Sequence, residues 1–235
     1  MTEILGSVQS LWRYPVKSMV GEQCNSLAIN HRGVEGDRLY AIQDTKGKFG
    51  SGKNTRRFRR IDGLLSYKSF YQNNLPVIEF PDCRVMNGNT PEINSVLSKT
   101  LGQPVTLAKE QKISHHDDSP IHILTTASLK WLKKALPNSE IDETRFRPNL
   151  LLNVVGDTLV EHQWKGKKIR VGEVTLKITK LAERCIMTSC SQKNLPEDLQ
   201  IFRHIINESN LMFGVYAKVI TGGVVNIRDE VTICS

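Results

Sequence analysis

Apolar and polar positions alternate in short runs along most of this chain, the period of half-buried strands. "ILGSVQSLWRYP", residues 4–15, mixes β-branched and aromatic side chains with partial alternation and stops at Pro15. "SLAIN", "RLYAIQD", "PVIEF", "CRVMNGN", "QPVTLAK" and "IHILT" repeat the pattern, with a turn at Pro81-Asp82. "NLLLNVV", "KIRVGEVTLKITKLAERC", "GVYAKVITGGVVNI" and "EVTIC" make the second half strand-rich. Gly172 and the Gly222-Gly223 pair suit hairpin turns. "TKGKFGSGKN", rich in glycine and lysine, reads as loop.

Three stretches change to helical period. "TPEINSVLSKTLG" opens with Thr90-Pro91, a cap followed by proline in the first turn, and ends at Gly102. "TASLKWLKKALP" places Leu129, Leu132 and Leu136 on one face and stops at Pro137. "PEDLQIFRHIINES" puts two acids at the positive end of the helix dipole, and Leu199, Phe202 and Ile206 make its stripe. Many short strands with scattered helices predict an α+β fold, mainly β, built on a closed or nearly closed barrel. The division into units is expected within the polar stretch "EQKISHHDDSP", giving residues 1–118 and 119–235.

Composition changes this picture in two ways. A net charge of +8 points to an anionic partner: nucleic acid, an acidic protein or a phosphorylated small molecule. "GKNTRRFRR" concentrates Lys53, Arg56, Arg57, Arg59 and Arg60, yet the run is short and Phe58 is its only aromatic, which disfavours nucleic acid. No stretch approaches the roughly 18 apolar residues of a membrane span, and the N-terminal residues lack a signal-peptide pattern. The reading is therefore a cytoplasmic protein with no membrane contact.

The five cysteines, Cys24, Cys83, Cys185, Cys190 and Cys234, are odd in number and irregularly spaced, which does not suit a disulfide framework. In "AERCIMTSC", Cys185 and Cys190 with His204 supply too few ligands for a structural zinc site. Their spacing is not Cys-x-x-Cys, although a redox pair stays open. The sharper reading is one functional thiolate at Cys185, with Arg184 as neighbouring cation, at a strand end where ligands dock. The plainer reading is a buried core cysteine. "HHDD", His115 to Asp118, reads as an exposed loop, because consecutive residues of an extended chain point in different directions. Lys17 and Ser18 follow a proline-terminated strand and can hold a phosphate; a surface turn is the plainer alternative. Arg147 precedes Pro148, so its backbone is expected to be extended. Asn149 offers donor and acceptor to a heterocycle edge. No P-loop and no Gly-x-Ser-x-Gly elbow is present.

In order along the chain, "LWRYPVKSM", "GVEGDRLYAI", "SPIHILTTASL", "RFRPNLLLN", "ERCIMTS" and "GVYAKV...GGVVNIRDEV" resemble the MOSC family, named for the C-terminal domain of molybdenum cofactor sulfurases. The similarity is to its two-part members, which include amidoxime-reducing proteins and join an N-terminal β-barrel-like region (here 1–118) to the MOSC domain (here 119–235). The resemblance covers about residues 4–60 and 119–234. It implies a MOSC-type β-barrel that binds molybdenum cofactor (molybdopterin), with Cys185 as catalytic residue and molybdenum ligand. Lys17, Ser18, Arg38, Thr125, Arg147, Asn149 and Arg184 are the implied cofactor-binding positions. A thiolate suits a soft metal centre, and the phosphate explains Lys17 and Arg38.

The resemblance further implies a reductase of N-hydroxylated small molecules. Reductase members often continue the cysteine motif as "TTVDP" where this chain has "TSCSQ", which bears on substrate choice. The four-cysteine signature of an iron–sulfur domain is absent, so electrons are expected from a separate donor protein of flavodoxin, ferredoxin or cytochrome type. The basic run 53–60 would extend the cofactor rim or receive that donor. The alternatives are a sulfur carrier or sulfurtransferase using a Cys185 persulfide, and a non-catalytic molybdenum cofactor carrier.

Overall fold

A computed structural model describes residues 3–234 of the chain. Seven strands close on themselves: Leu150–Asn153, Ile121–Thr125, Met212–Thr221, Val174–Glu183, Lys168–Val171, Glu230–Cys234 and Glu3–Arg13, the last pairing back onto Leu150–Asn153. All pairings are antiparallel except Ile121–Thr125 with Leu150–Asn153. Closure leaves no free edge among these strands. The alternation seen in the sequence is the reason the barrel has a filling: Val8, Leu11, Ile121, Ile123, Leu150, Leu152, Ile169, Leu176, Ile178 and Val215 all point into one buried cluster.

The first strand comes from the far end of the sequence and completes a barrel whose other six strands lie beyond residue 120. Its pairings shift register between Ile4 and Gly6 and between Val8 and Ser10. Such irregularities let one long strand serve two neighbours while bending round the wall. Residues 40–109, with Val16 and Met19, build a second body with its own core around Met19, Ile42, Phe80 and Leu97, while Leu27, Ile29 and Val34 pack into the barrel core. It contains a four-stranded sheet and a three-stranded sheet.

Among the described residues there are three α-helices, at the three stretches of helical period: α1 (Ile93–Thr100), α2 (Thr126–Ala135) and α3 (Leu199–Ser209). None is long and apolar enough to cross a membrane. The helix α1 starts later than Thr90-Pro91 suggests, with Glu92 as its first flanking residue and no side-chain cap. In α3 the buried pair is Ile201 and Ile205, while Leu199 and Ile206 are exposed. This helix carries apolar residues on two overlapping stripes. The one chosen packs with Leu132, Phe146 and Phe213 against the barrel.

Two turn readings also change. Phe49–Ser51, inside the expected loop, is a fully buried strand paired with Tyr40–Asp44 and Phe58–Arg60. Phe49 fixes it, packing with Ala41 and Phe58. Gly172 does make a hairpin turn, at φ 56°. Gly222-Gly223 does not: there the chain leaves the barrel, and Gly223–Asn226 pairs with Ser26–Asn30 in an outer sheet.

Candidate functional site

Where the two bodies meet, a cavity of about 290 Å³ opens on the outer face of the barrel. Six cationic side chains line it against three carboxylates, so its field favours an anion. The strand Val174–Glu183 ends at its edge, and Cys185 begins the short turn Ile186–Thr188. The Cys185 carbonyl accepts from both the amide and the hydroxyl of Thr188 at 3.1 Å. Its side chain is half-buried and lines the cavity.

Lys17, Ser18, Arg38 and Arg147 line the same cavity as a largely cationic wall. Three of these four hold left-handed backbone: Ser18 at φ 65°, Arg38 at 51° and Arg147 at 55°. Arg147 therefore departs from the extended geometry that Pro148 favours. Strain of about 1–3 kcal/mol per such residue persists only where surrounding structure enforces it. Here the enforcement is visible. Tyr14 is buried, its hydroxyl donates to Pro148 O at 3.1 Å, and the guanidinium groups of Arg147 and Arg38 lie 4.3 and 4.8 Å from its ring. Arg147 Nη1 donates to Met19 O at 2.6 Å, and Arg38 Nη2 to Arg147 O at 3.3 Å.

Asp37 sits beneath this wall, buried, ion-paired to Arg38 and accepting the Tyr14 amide at 2.8 Å. Burial pushes its carboxyl up, but Arg38, His116 and the Tyr14 amide outweigh that and hold it at about 2. Burial lowers Lys17 to about 8 despite Asp117 beside it. Burial and the neighbouring Arg38 lower Arg147 to about 10.

Seven of the eight positions singled out in the sequence reach this cavity: Lys17, Ser18, Arg38, Arg147, Asn149, Arg184 and Cys185. Thr125 does not line it. Its hydroxyl donates to Glu161 at 2.7 Å and accepts the Ser128 amide at 3.1 Å, capping α2. Asn149 has both ends of its amide engaged by backbone, accepting from His122 N and donating to Trp12 O. Arg184 turns to Phe146 O at 2.8 Å and to His122 Nε2 at 3.5 Å. Cys190 rests against Ile186 O at 3.6 Å, and burial pushes its thiol up. Of the basic run, Lys53 lines the cavity, whereas Arg59 and Arg60 pair with Asp44 and Asp62.

The stretch His115 to Asp118 is a loop with Asp117 and Asp118 exposed, as expected, but its first residue is not exposed. His115 is buried against Phe49, its carbonyl accepts Lys17 Nζ at 3.0 Å, Asp117 pairs with Lys17, and Asp118 pairs with Lys180. Four polar residues in a row carry no periodicity to read; only the folded chain brings His115 and Asp117 to Lys17. His122 and Tyr216 carry no functional signal in the sequence, because they sit inside strands that read as ordinary. They occupy directly opposed positions on the cavity floor. Burial and the nearby Arg184 hold His122 neutral.

Chemically, three lining guanidinium nitrogens are buried without a partner: Arg145 Nη1, Arg147 Nη2 and Arg184 Nε. Buried donors in folded proteins are normally paired, or wait for a ligand. Among the described residues no three His, Cys, Asp or Glu side chains gather as a metal clamp. The donor set thus suits an anionic group that carries its own metal ligands and takes at most one more, from sulfur.

The MOSC domain signature matches residues 110–232, and that of the MOSC N-terminal beta barrel domain matches residues 5–104. The chain belongs to the MOSC domain family. Human mitochondrial amidoxime-reducing component 1 is 23% identical over 283 aligned residues, covering 97% of this MOSC chain and 82% of the relative. The mouse protein of the same name is 22% identical, covering 79% of this chain and 66% of its own length. The crystal structure of the YUAD protein from Bacillus subtilis shares the MOSC fold here with a TM-score of 0.56 at 14% identity, covering 99% and 96% of the two chains. A second crystal structure, of a hypothetical protein, has a TM-score of 0.52 at 11% identity, covering 99% and 69%.

Proposed function

We propose that this MOSC protein binds molybdenum cofactor in the cavity and is an oxidoreductase that reduces N-hydroxylated small molecules. One observation carries the reading: a half-exposed thiol, Cys185, shares a cavity with unpartnered buried guanidinium groups. An anionic pterin with a terminal phosphate satisfies those donors, and its metal is soft enough to take a thiolate. Lys17, Arg38 and Arg147 would hold the anionic part, with Ser18 as a hydroxyl partner. Cys185 would be the protein's ligand to molybdenum. Arg184, anchored on Phe146 O, would present its free Nε to the same group. Thr125 acts behind the wall as a helix cap, and Asn149, at the cavity lining, serves as a backbone stitch between the first strand and Ile121–Thr125.

When bound, the cofactor supplies the two-electron redox capacity. For an amidoxime the reaction breaks the N–O bond, consumes two electrons and two protons, and yields the amidine and water. His122, neutral and buried beside Arg184, would close the cavity floor without adding a cation. The names of the human and mouse relatives support amidoximes as the first substrates to try. Electrons would come from a separate carrier.

The test is turnover of an aryl amidoxime by protein made in a cofactor-competent host, with reduced methyl viologen as reductant. Amidine is expected from the native protein and not from Cys185→Ala. Cofactor bound without amidine from any N-hydroxylated compound would leave a carrier. Cyanide-labile sulfur on Cys185 with no molybdenum would mean sulfur transfer.

A further inference from the structure

On the barrel's outer face, beside the cavity, Lys168 stands directly opposite Lys177, and Lys177 directly opposite Lys218. Three lysines thus lie abreast on three neighbouring strands, about 5 Å from strand to strand. Like charges in direct cross-strand register are destabilising. Nothing relieves them: among the described residues no carboxylate pairs with any of the three. Lys177 reaches only the carbonyl of Gly166. Lys167 and Arg170, both exposed, extend the row at one end. Strand alternation fixes the lysines outward, because Ile169, Leu176, Ile178, Ala217 and Val219 are buried in the barrel core.

The row runs to the cavity rim. Lys218 shares a strand face with Tyr216, a cavity-lining residue two positions away, and two strand residues span about 7 Å. Lys180 lies opposite Tyr216 and is paired with Asp118, another lining residue.

We propose that this lysine row is the docking surface of an acidic electron-carrier protein, held so that its redox group faces the cavity. Its role in electron delivery rests on the reductase reading above; its affinity for an acidic protein does not. Exposed charges of one sign steer a complementary partner and raise the rate of encounter more than the lifetime of the complex. That suits a carrier that arrives reduced, gives up electrons to the site, and leaves oxidised. Nucleic acid suits the row less well. Among the described residues no exposed large apolar side chain is aromatic, so bases find no stacking platform.

The experiment uses cofactor-loaded protein, native and Lys168→Glu/Lys177→Glu/Lys218→Glu, with an acidic flavodoxin as probe. Native protein is expected to bind the flavodoxin, more weakly as salt rises. The triple variant should associate at least ~10-fold more slowly, within the range electrostatic steering provides. Amidoxime turnover driven by reduced flavodoxin should fall by a similar factor, while turnover with methyl viologen, which needs no docking, stays at the native rate. Gln at the same three positions, expected to give a smaller loss, carries the test if the reversed charges do not fold. Equal flavodoxin binding by native and variant protein, or native binding of an RNA oligonucleotide in preference to flavodoxin, overturns the proposal. Salt-sensitive, row-dependent binding with no turnover from either reductant retains the docking surface and removes the reductase reading.

Discussion

Lys17 owes its grip on anions to where it is buried. Its ammonium is nearly sealed, with His115 O, Asp117 and the Phe58 ring around it. With Lys17 lowered to about 8 from its ordinary 10.5, the charge is present below that pH and is lost as pH rises through it. Binding of inorganic pyrophosphate to the cofactor-free protein, followed by calorimetry, should therefore weaken as pH passes about 8. Lys17→Arg should move that loss to higher pH. Asp37 works in the opposite sense. Its carboxyl is held at about 2, below the ordinary 3.8, so its contribution to stability is full above 3.8 and disappears as pH falls through about 2. Asp37→Asn, which leaves buried Arg38 without its counter-charge, should cost about 3 kcal/mol in urea unfolding at neutral pH. The sequence marked Lys17 and Arg38 as types that hold phosphate. It could not mark Asp117, which reaches Lys17 from 100 positions away, nor show that Asp37, although next to Arg38, is buried under Tyr14 as its support.

At the scale of elements, cap and close approach place the site. Thr125, Ser128 and Glu161 form a buried cluster in which both hydroxyls donate to one carboxylate. Thr125→Ala removes the α2 cap, at about 1 kcal/mol, and leaves Glu161 short of a bond. A total loss of about 2 kcal/mol is expected in denaturant unfolding, with molybdenum content unchanged. Gly214 is a second such point. At φ 85°, a Cβ there would lie 2.6 Å from His122 Nε2 and 2.8 Å from Ile123 O. Gly214→Ala should destabilise the barrel and displace His122 from Arg184, a change visible in the His122 ring resonances. Strands and helices were legible because burial on one face imposes a period. Phe49–Ser51 was not: it is buried on both faces, too short to show a period, and set in a run with Gly47, Gly50 and Gly52. The stripe of α3 was ambiguous for the opposite reason, since apolar residues occur on more than one of its faces.

For the whole molecule, barrel closure is the decisive fact. Glu3–Arg13 stands between Leu150–Asn153 and Glu230–Cys234, so residues 119–235 alone would expose two open strand edges and a core stripped of Val8, Leu11, Leu27, Ile29 and Val34. That fragment is expected to show no cooperative thermal transition, and adding residues 1–118 as a separate chain should restore one. The fold class was readable from strand density, and the family from six motifs in order. The cavity was not readable, because it belongs to the meeting of two bodies and its walls come from segments that look like loops. The central claim is that Cys185 and the cationic wall bind one molybdenum-bearing anion. Metal and pterin analysis of native protein and Cys185→Ala, both made in a cofactor-competent host, tests this most directly. The expected result is stoichiometric molybdenum with pterin in the native protein and loss of the metal from the folded variant. Folded native protein free of molybdenum and pterin, or a variant that keeps both undiminished, would contradict it.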